Sequence, residues 1–270
     1  MKNTVMRTLW GMLFLLALAG CVRSDVVATM ASHAAWQRLD AAGPLPAVGW
    51  MRGQADVIHI YIEGDGVAYA TPTRPSLDPT PITPTALLLA QRDNAPAVAY
   101  LGRPCQYVTG AACSSRCWTT GRFSAAVLQT MTGLVDAAKA SAGARRVVLI
   151  GFSGGGAVAT LLAARRTDVA ALITVCGNLD HAAWTAMHHV TPLYGSLNPA
   201  EYAARLSSLP QTHFMGGADT NVTRQITDSF VSRLGPGAPV TVRVVPGLAH
   251  GGEAWARAWP ALLAGVPLGR

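Results

Sequence analysis

The chain has 270 residues, 50% of them hydrophobic and 13% charged, which excludes a disordered or fibrous polypeptide. Its 27 Gly and 17 Pro follow no fixed period, so no collagen-like or solenoid repeat is present. The formal charge of +7 is carried by arginines set mostly one or two at a time, with Lys2 and Lys139 the lysines. A nucleic-acid-binding stripe would be denser, so no nucleic-acid partner is expected, and a chain of this length packs as one large domain or at most two.

Lys2 and Arg7 lead into an apolar run, Leu9 to Ala19, too short to cross a bilayer as a helix. Residues 1–20 read as a signal peptide. The run ends in Leu18-Ala19-Gly20-Cys21, which resembles the lipobox of bacterial lipoproteins. That resemblance implies cleavage before Cys21, acylation of Cys21, and a protein held to the membrane of a bacterial cell envelope, facing the periplasm. Residues 21–54, including His33 and the break Gly43-Pro44-Leu45-Pro46, are then expected to be the lipidated N-terminus and a tether, with a packed extension as the other reading.

From residue 55 onwards strands alternate with helices. Val57 to Ile62 is a β-rich run ending in the tight turn Glu63-Gly64-Asp65-Gly66. Five prolines between residues 71 and 85 predict an extended surface loop. A short helical stretch from Ala86, a strand Ala97 to Leu101 and a Cys-rich loop follow. The stripe Phe123, Val127, Met131, Leu134, Val135, Ala138 predicts a helix on a sheet. Further strands are expected at 147–150, 169–175, 212–215 and 240–245. Helices are expected at 157–165, from Asn198 with Pro199 and Glu201 in its first turn, at 223–234 and at 253–263. Continuous apolar strands separated by helices predict an α/β domain over residues 55–270, a mostly parallel sheet covered on both faces.

Apart from Cys21, the cysteines are Cys105, Cys113, Cys117 and Cys176. In an oxidising envelope compartment Cys105–Cys113 would staple a short loop, leaving Cys117 to pair with Cys176 or both of them free. The spacings are poor for zinc, and no metal is expected.

Gly151-Phe152-Ser153-Gly154-Gly155 fits G-x-S-x-G between a buried strand and a helix, the setting that lifts a nucleophilic Ser above a sheet edge. A serine hydroxyl needs a base, and the base needs an acid to hold its tautomer. Asp219 follows the strand 212–215 and His250 the strand 240–245, in the order Ser, Asp, His; Asp180, after 169–175, is the second candidate acid. His59 and His213 lie within strands, and His181, His188 and His189 share one connection. On these residues the chain, over roughly 55 to 265, resembles the α/β-hydrolase superfamily. Tyr100 to Tyr107 and Gly177 to Trp184 are also similar to uncharacterised bacterial envelope members of it.

The resemblance implies an oxyanion hole made by the N–H of Gly154 and a second N–H from Gly64 or Asp65, in a loop where Glu63 stands in place of the usual His. It implies acyl transfer: Ser153 attacks a carbonyl, His250 relays the proton, Asp219 orients His250, and no cofactor takes part. A carboxylic ester is the expected substrate, small or lipid-like, with thioesters and peptides as alternatives, and with a catalytically silent envelope lipoprotein as the non-enzymatic one. Between Asn178 and Leu209, Trp184, His188, His189 and Tyr194 supply aromatic surface either for a substrate pocket or for packing on itself.

Overall fold

A computed structural model describes residues 36–268. The expected signal peptide, Cys21 and His33 lie outside the described residues. Eight strands form one sheet: β1 (Gln37–Asp40), β2 (Val48–Arg52), β3 (Val57–Ile62), β6 (Val98–Leu101), β7 (Arg146–Phe152), β8 (Val169–Val175), β9 (Gln211–Gly216) and β10 (Val240–Val245). Their order is β1-β2-β6-β3-β7-β8-β9-β10. Strands β6, β3, β7, β8, β9 and β10 are mutually parallel, and β2 runs against both of its neighbours.

Strand alternation separates two apolar layers. Ile58, Ile60 and Ile62 of β3 face a layer that holds α2 (Ala125–Ser141), α3 (Gly154–Ala163) and Phe230 of α5 (Arg224–Val231). Tyr61, Tyr100 and Ile150 face the other, with α1 (Thr85–Ala90) and α6 (Glu253–Ala264) contributing Leu87, Trp255 and Trp259. Because both faces are covered, β8 is buried along its whole length, which is why it reads as an unbroken apolar run. Helix α2 starts where Ser124 accepts from the Val127 N–H, and its buried face carries the expected stripe of Val127, Met131, Leu134, Val135 and Ala138. Among the described residues no helix is long and apolar enough to cross a membrane.

Three expectations change. The tether proposed for residues 21–54 is folded in its described part. Strands β1 and β2 extend the sheet beyond β6, and Val48, Trp50 and Met51 are buried in the two layers, so the packed extension is the correct reading there. The loop of residues 71–85 is not wholly irregular: β4 (Tyr69–Thr71) pairs with β5 (Arg74–Pro75), and just beyond Pro75, which has no N–H to give, the Ser76 N–H donates to the Ala68 carbonyl at 3.0 Å. The helix opening at Asn198 is a 3-10 helix, Pro199–Leu206. Instead of capping it, the Asn198 side chain accepts from the His181 N–H and donates to Asp180, which holds the start of α4 (His181–Met187).

Cys105 and Cys113 are bridged, and Cys117 and Cys176 are free thiols. The loop carrying Cys105 closes on the turn after β3, since Gln106 Nε2 donates to the Gly64 carbonyl at 3.0 Å.

Candidate active site

Four loops leave the carboxyl ends of β3, β7, β9 and β10 on one edge of the sheet, the edge where open α/β sheets bind ligands. Ser153 sits between β7 and α3 with φ +51° and ψ −120°, a left-handed turn that a non-glycine residue adopts only under constraint. The constraint is packing. A Cβ on Gly155 would run into the Ile62 carbonyl, and one on Gly154 into the Asp65 carboxylate, so small residues after the serine let the turn seat itself against β3. The Ser153 carbonyl accepts from Gly156 and Asn178, fixing the turn from both sides.

The loop after β10 is tied to the loop after β9 through Ala218 N–H to Leu248 O, 2.9 Å, and Gly217 N–H to Val245 O, 2.8 Å. Trp255 of α6 donates its indole N–H to Ala249 O at 2.8 Å, and Gly252 N–H donates to Thr85 Oγ1 at 3.0 Å. These bonds carry His250 over the sheet edge. Its Nε2 lies 2.9 Å from Ser153 Oγ and its Nδ1 lies 2.8 Å from Asp219 Oδ2. The partner at Nδ1 is therefore Asp219. Asp180 is elsewhere, bound by Ser229, Arg233 and Asn198 at the start of α4, contacts that hold its pKa down at about 2 despite its burial.

The other carboxylate oxygen of Asp219 accepts from the N–H groups of Asn221 (2.8 Å) and Val222 (3.0 Å). Burial would raise the Asp219 carboxyl, but the His250 imidazole, the Val222 N–H and the Cys176 thiol outweigh it and hold the group below the usual carboxylate range. Cys176, at the end of β8 with φ +50°, is fully buried. Burial and the adjacent Asp219 charge push its thiol far up, so it is a neutral S–H donor to that carboxylate.

The turn after β3 supplies the opposite wall. Glu63 is buried, and its carboxylate accepts from the N–H of Gly64 (2.8 Å), from the N–H of Ala86 (3.4 Å) and from the Tyr100 hydroxyl (3.1 Å). Burial nevertheless lifts its pKa to about 7. Because the Gly64 N–H is spent on Glu63, Gly64 is not offered to the pocket, and of the two residues expected to supply a second oxyanion donor Asp65 is the one left to consider. Burial raises the Asp65 carboxyl too, but the Arg122 and Arg103 guanidiniums, at 2.6 and 3.3 Å, bring it below its ordinary value.

A cavity of about 690 Å³ opens over Ser153 and His250, walled by Asp65, Arg122, Phe152, Trp184 and Asn221 among others. The site thus combines a hydroxyl aligned with an imidazole, an acid at the far imidazole nitrogen, and space for a substrate. The sequence placed Ser153, Asp219, His250 and Gly154 here. Asn221, Cys176 and Arg122 carry no site signal in the sequence, because only the folding of separate loops brings them together here. Trp184 reaches the cavity wall, whereas Tyr194 is 84% exposed. His59 and His213 belong to the core: His59 pairs with Asp93 at 2.7 Å, and His213, hydrogen-bonded to Thr174, has its pKa pushed down to about 3 by burial.

No family model matches the sequence, and no curated protein matches it. Solved structures do match its fold. An α-β serine hydrolase homologue from Coxiella burnetii superposes with TM-score 0.57 at 13% identity, over 84% of this chain and 95% of that one. An esterase from Pyrococcus furiosus does so with TM-score 0.58 at 12% identity, over 85% and 90%. An acylaminoacyl peptidase from Pyrococcus horikoshii gives 0.60 at 13%, over 85% of this chain but 40% of the peptidase. The chain has the α/β-hydrolase fold.

Proposed function

We propose that the protein is a serine hydrolase that cleaves a carboxylic ester or related acyl bond through an acyl-enzyme. One observation carries the reading: Ser153 Oγ, His250 and Asp219 lie in one hydrogen-bonded row at 2.9 and 2.8 Å. With Asp219 at Nδ1, the imidazole carries its proton there and presents the Nε2 lone pair to the serine. Ser153 attacks the carbonyl carbon as its proton passes to Nε2, and the same proton then goes to the leaving group. Water repeats the sequence to release the acid. The N–H groups of Gly154 and Asp65 are the proposed donors to the tetrahedral oxyanion, each worth about a hundredfold or more in rate.

The fold neighbours include an esterase and a peptidase, so the bond is set by the cavity rather than the fold. A fluorophosphonate probe tests the nucleophile without knowledge of the substrate. The wild-type chain should be labelled at Ser153, and Ser153→Ala should not be. An unlabelled wild type, or equal labelling of the variant, removes the assignment. A panel of esters of graded acyl length, with a thioester and a peptide, then fixes the substrate class.

The sequence before the described residues supports a second proposal, that Cys21 carries lipid and anchors the enzyme in a bacterial envelope, facing the periplasm. Metabolic labelling with radioactive palmitate should mark the wild type and be lost in Cys21→Ser; equal incorporation in both would refute the anchor.

A further inference from the structure

One wall of the cavity over Ser153 holds more positive charge than its own partners neutralise. The Asp65 carboxylate lies against the turn that carries the serine, since a Cβ on Gly154 would fall onto its Oδ1. Two guanidiniums meet that carboxylate, Arg122 Nη1 at 2.6 Å from Oδ2 and Arg103 Nη1 at 3.3 Å from Oδ1. Arginine keeps its proton inside a protein, so the trio carries one net positive charge, and Arg103 and Arg122 are only 4% and 6% exposed. A buried charge without a counter-charge is costly. Glu63, the other carboxyl at the cavity wall, does not answer it: its oxygens accept from Gly64, Ala86 and Tyr100, and neither guanidinium bonds to it. His250 is engaged by Ser153 and Asp219.

The two arginines are not equivalent. Arg103 stands outside the cavity wall, where its Nη2 donates to the Arg122 carbonyl and its guanidinium lies over the Phe123 ring, 5.4 Å from the centre. Arg122 is part of the wall. Its Nε donates to the Thr119 carbonyl at 2.7 Å and its Nη1 to Asp65, which fixes the plane of the guanidinium and leaves Nη2 without an acceptor among the described residues. A guanidinium held in this way presents its remaining N–H groups as a rigid fork, the shape that a carboxylate fits.

We propose that Arg122 is a specificity-determining residue, and that the substrate is an acyl compound with a carboxylate close to the scissile bond, received by Arg122 Nη2. One surplus positive charge matches one negative charge. The proposal rests on the serine-hydrolase reading and narrows its substrate to acids. A desolvated guanidinium discriminates strongly between an acid and a neutral analogue of the same size, because the neutral group leaves both donor and charge unanswered.

The test compares rates of covalent labelling of the full chain by matched aryl phosphonates, in which Ser153 Oγ bonds to phosphorus and the aryloxide leaves. In one pair the alkyl group on phosphorus ends in a carboxylate or in a carboxamide of the same size. In the other the leaving group carries the carboxylate or the carboxamide. The wild type should react about tenfold to a hundredfold faster with the acid of one pair, and the pair that responds tells whether the charge sits on the acyl or the leaving side. Arg122→Gln should abolish that preference, and Arg122→Lys, which keeps the charge but not the fork, should retain part of it. A purely structural role for Arg122, holding Asp65 in place, would slow both members alike and leave their ratio unchanged. If Arg122→Gln does not fold, Arg122→Lys and the wild-type ratios decide the matter, an undiminished preference in Arg122→Lys counting against the fork. A wild type that takes a neutral fluorophosphonate but shows no preference in either pair overturns this proposal alone, as does a preference that survives Arg122→Gln. A wild type that takes no fluorophosphonate removes the serine-hydrolase reading, and this inference with it.

Discussion

Glu63 shows what one residue contributes to both stability and site. A buried carboxyl with its pKa raised to about 7, from 4.5 when unperturbed, favours the folded state fully below the lower value and loses that contribution as the pH rises through the upper one. The difference amounts to at most about 3 kcal/mol. Glu63→Gln keeps an acceptor for the Gly64 and Ala86 N–H groups and turns its amide to Tyr100, so its stability should not follow this trend. Urea unfolding midpoints at pH 4 and pH 8 check it: the variant should gain on the wild type at the higher pH, and parallel profiles would contradict the assignment. Ser153, Asp219 and His250 are legible in the sequence because each occupies a loop whose strand is evident and their order matches the chemistry. Asn221 and Cys176 are not. An Asn two residues beyond an acid carries no signal of its own, and a Cys ending an apolar strand reads as core until the loop after β9 is folded over it.

The same contrast holds for elements. Strands β3, β7 and β8 are evident as largely apolar runs bounded by turn residues and β10 as valines alternating with Thr241 and Arg243, and β8 and β10 match their expected bounds at both ends. Helix α3 begins at Gly154, three residues before its expected start, because the three glycines that look like a loop in sequence are the helix's first turn, packed too closely to β3 and β8 for side chains. The segment between Asn178 and Leu209 resists reading for a different reason. Its capping residues serve tertiary partners: Asp180 caps α4 while holding Ser229 and Arg233, and Asn198 binds Asp180 and His181 rather than its own helix. Local rules identify such residues as helix starts but do not report what else they hold. These contacts set α4 at the height where Trp184 reaches Asn221.

At the scale of the molecule, the boundary of the folded unit is the feature that sequence patterns misplace. Residues 37–52 combine a short strand with little apolar content, a Gly-Pro-Leu-Pro break and a second short strand, and neither strand shows the alternation of a half-buried edge. In the fold, β2 lies between β1 and β6, with Trp50 and Met51 each 2% exposed and Leu39 and Leu45 packed in the layer of α2. Removing this segment would expose the edge of β6 and uncover these side chains, each worth about 1.5–3 kcal/mol when buried. That sum is comparable to the whole stability of an ordinary domain, about 5–15 kcal/mol. A chain beginning at residue 55 should therefore be insoluble or lack a cooperative thermal transition, whereas one beginning at residue 36 should melt cooperatively and take the fluorophosphonate label. Circular dichroism melts of the two chains compare them directly. A cooperative transition in the shorter chain, at the same temperature as in the longer one, would restore the tether, because a flexible leader can be removed without cost and an inner strand of a sheet cannot.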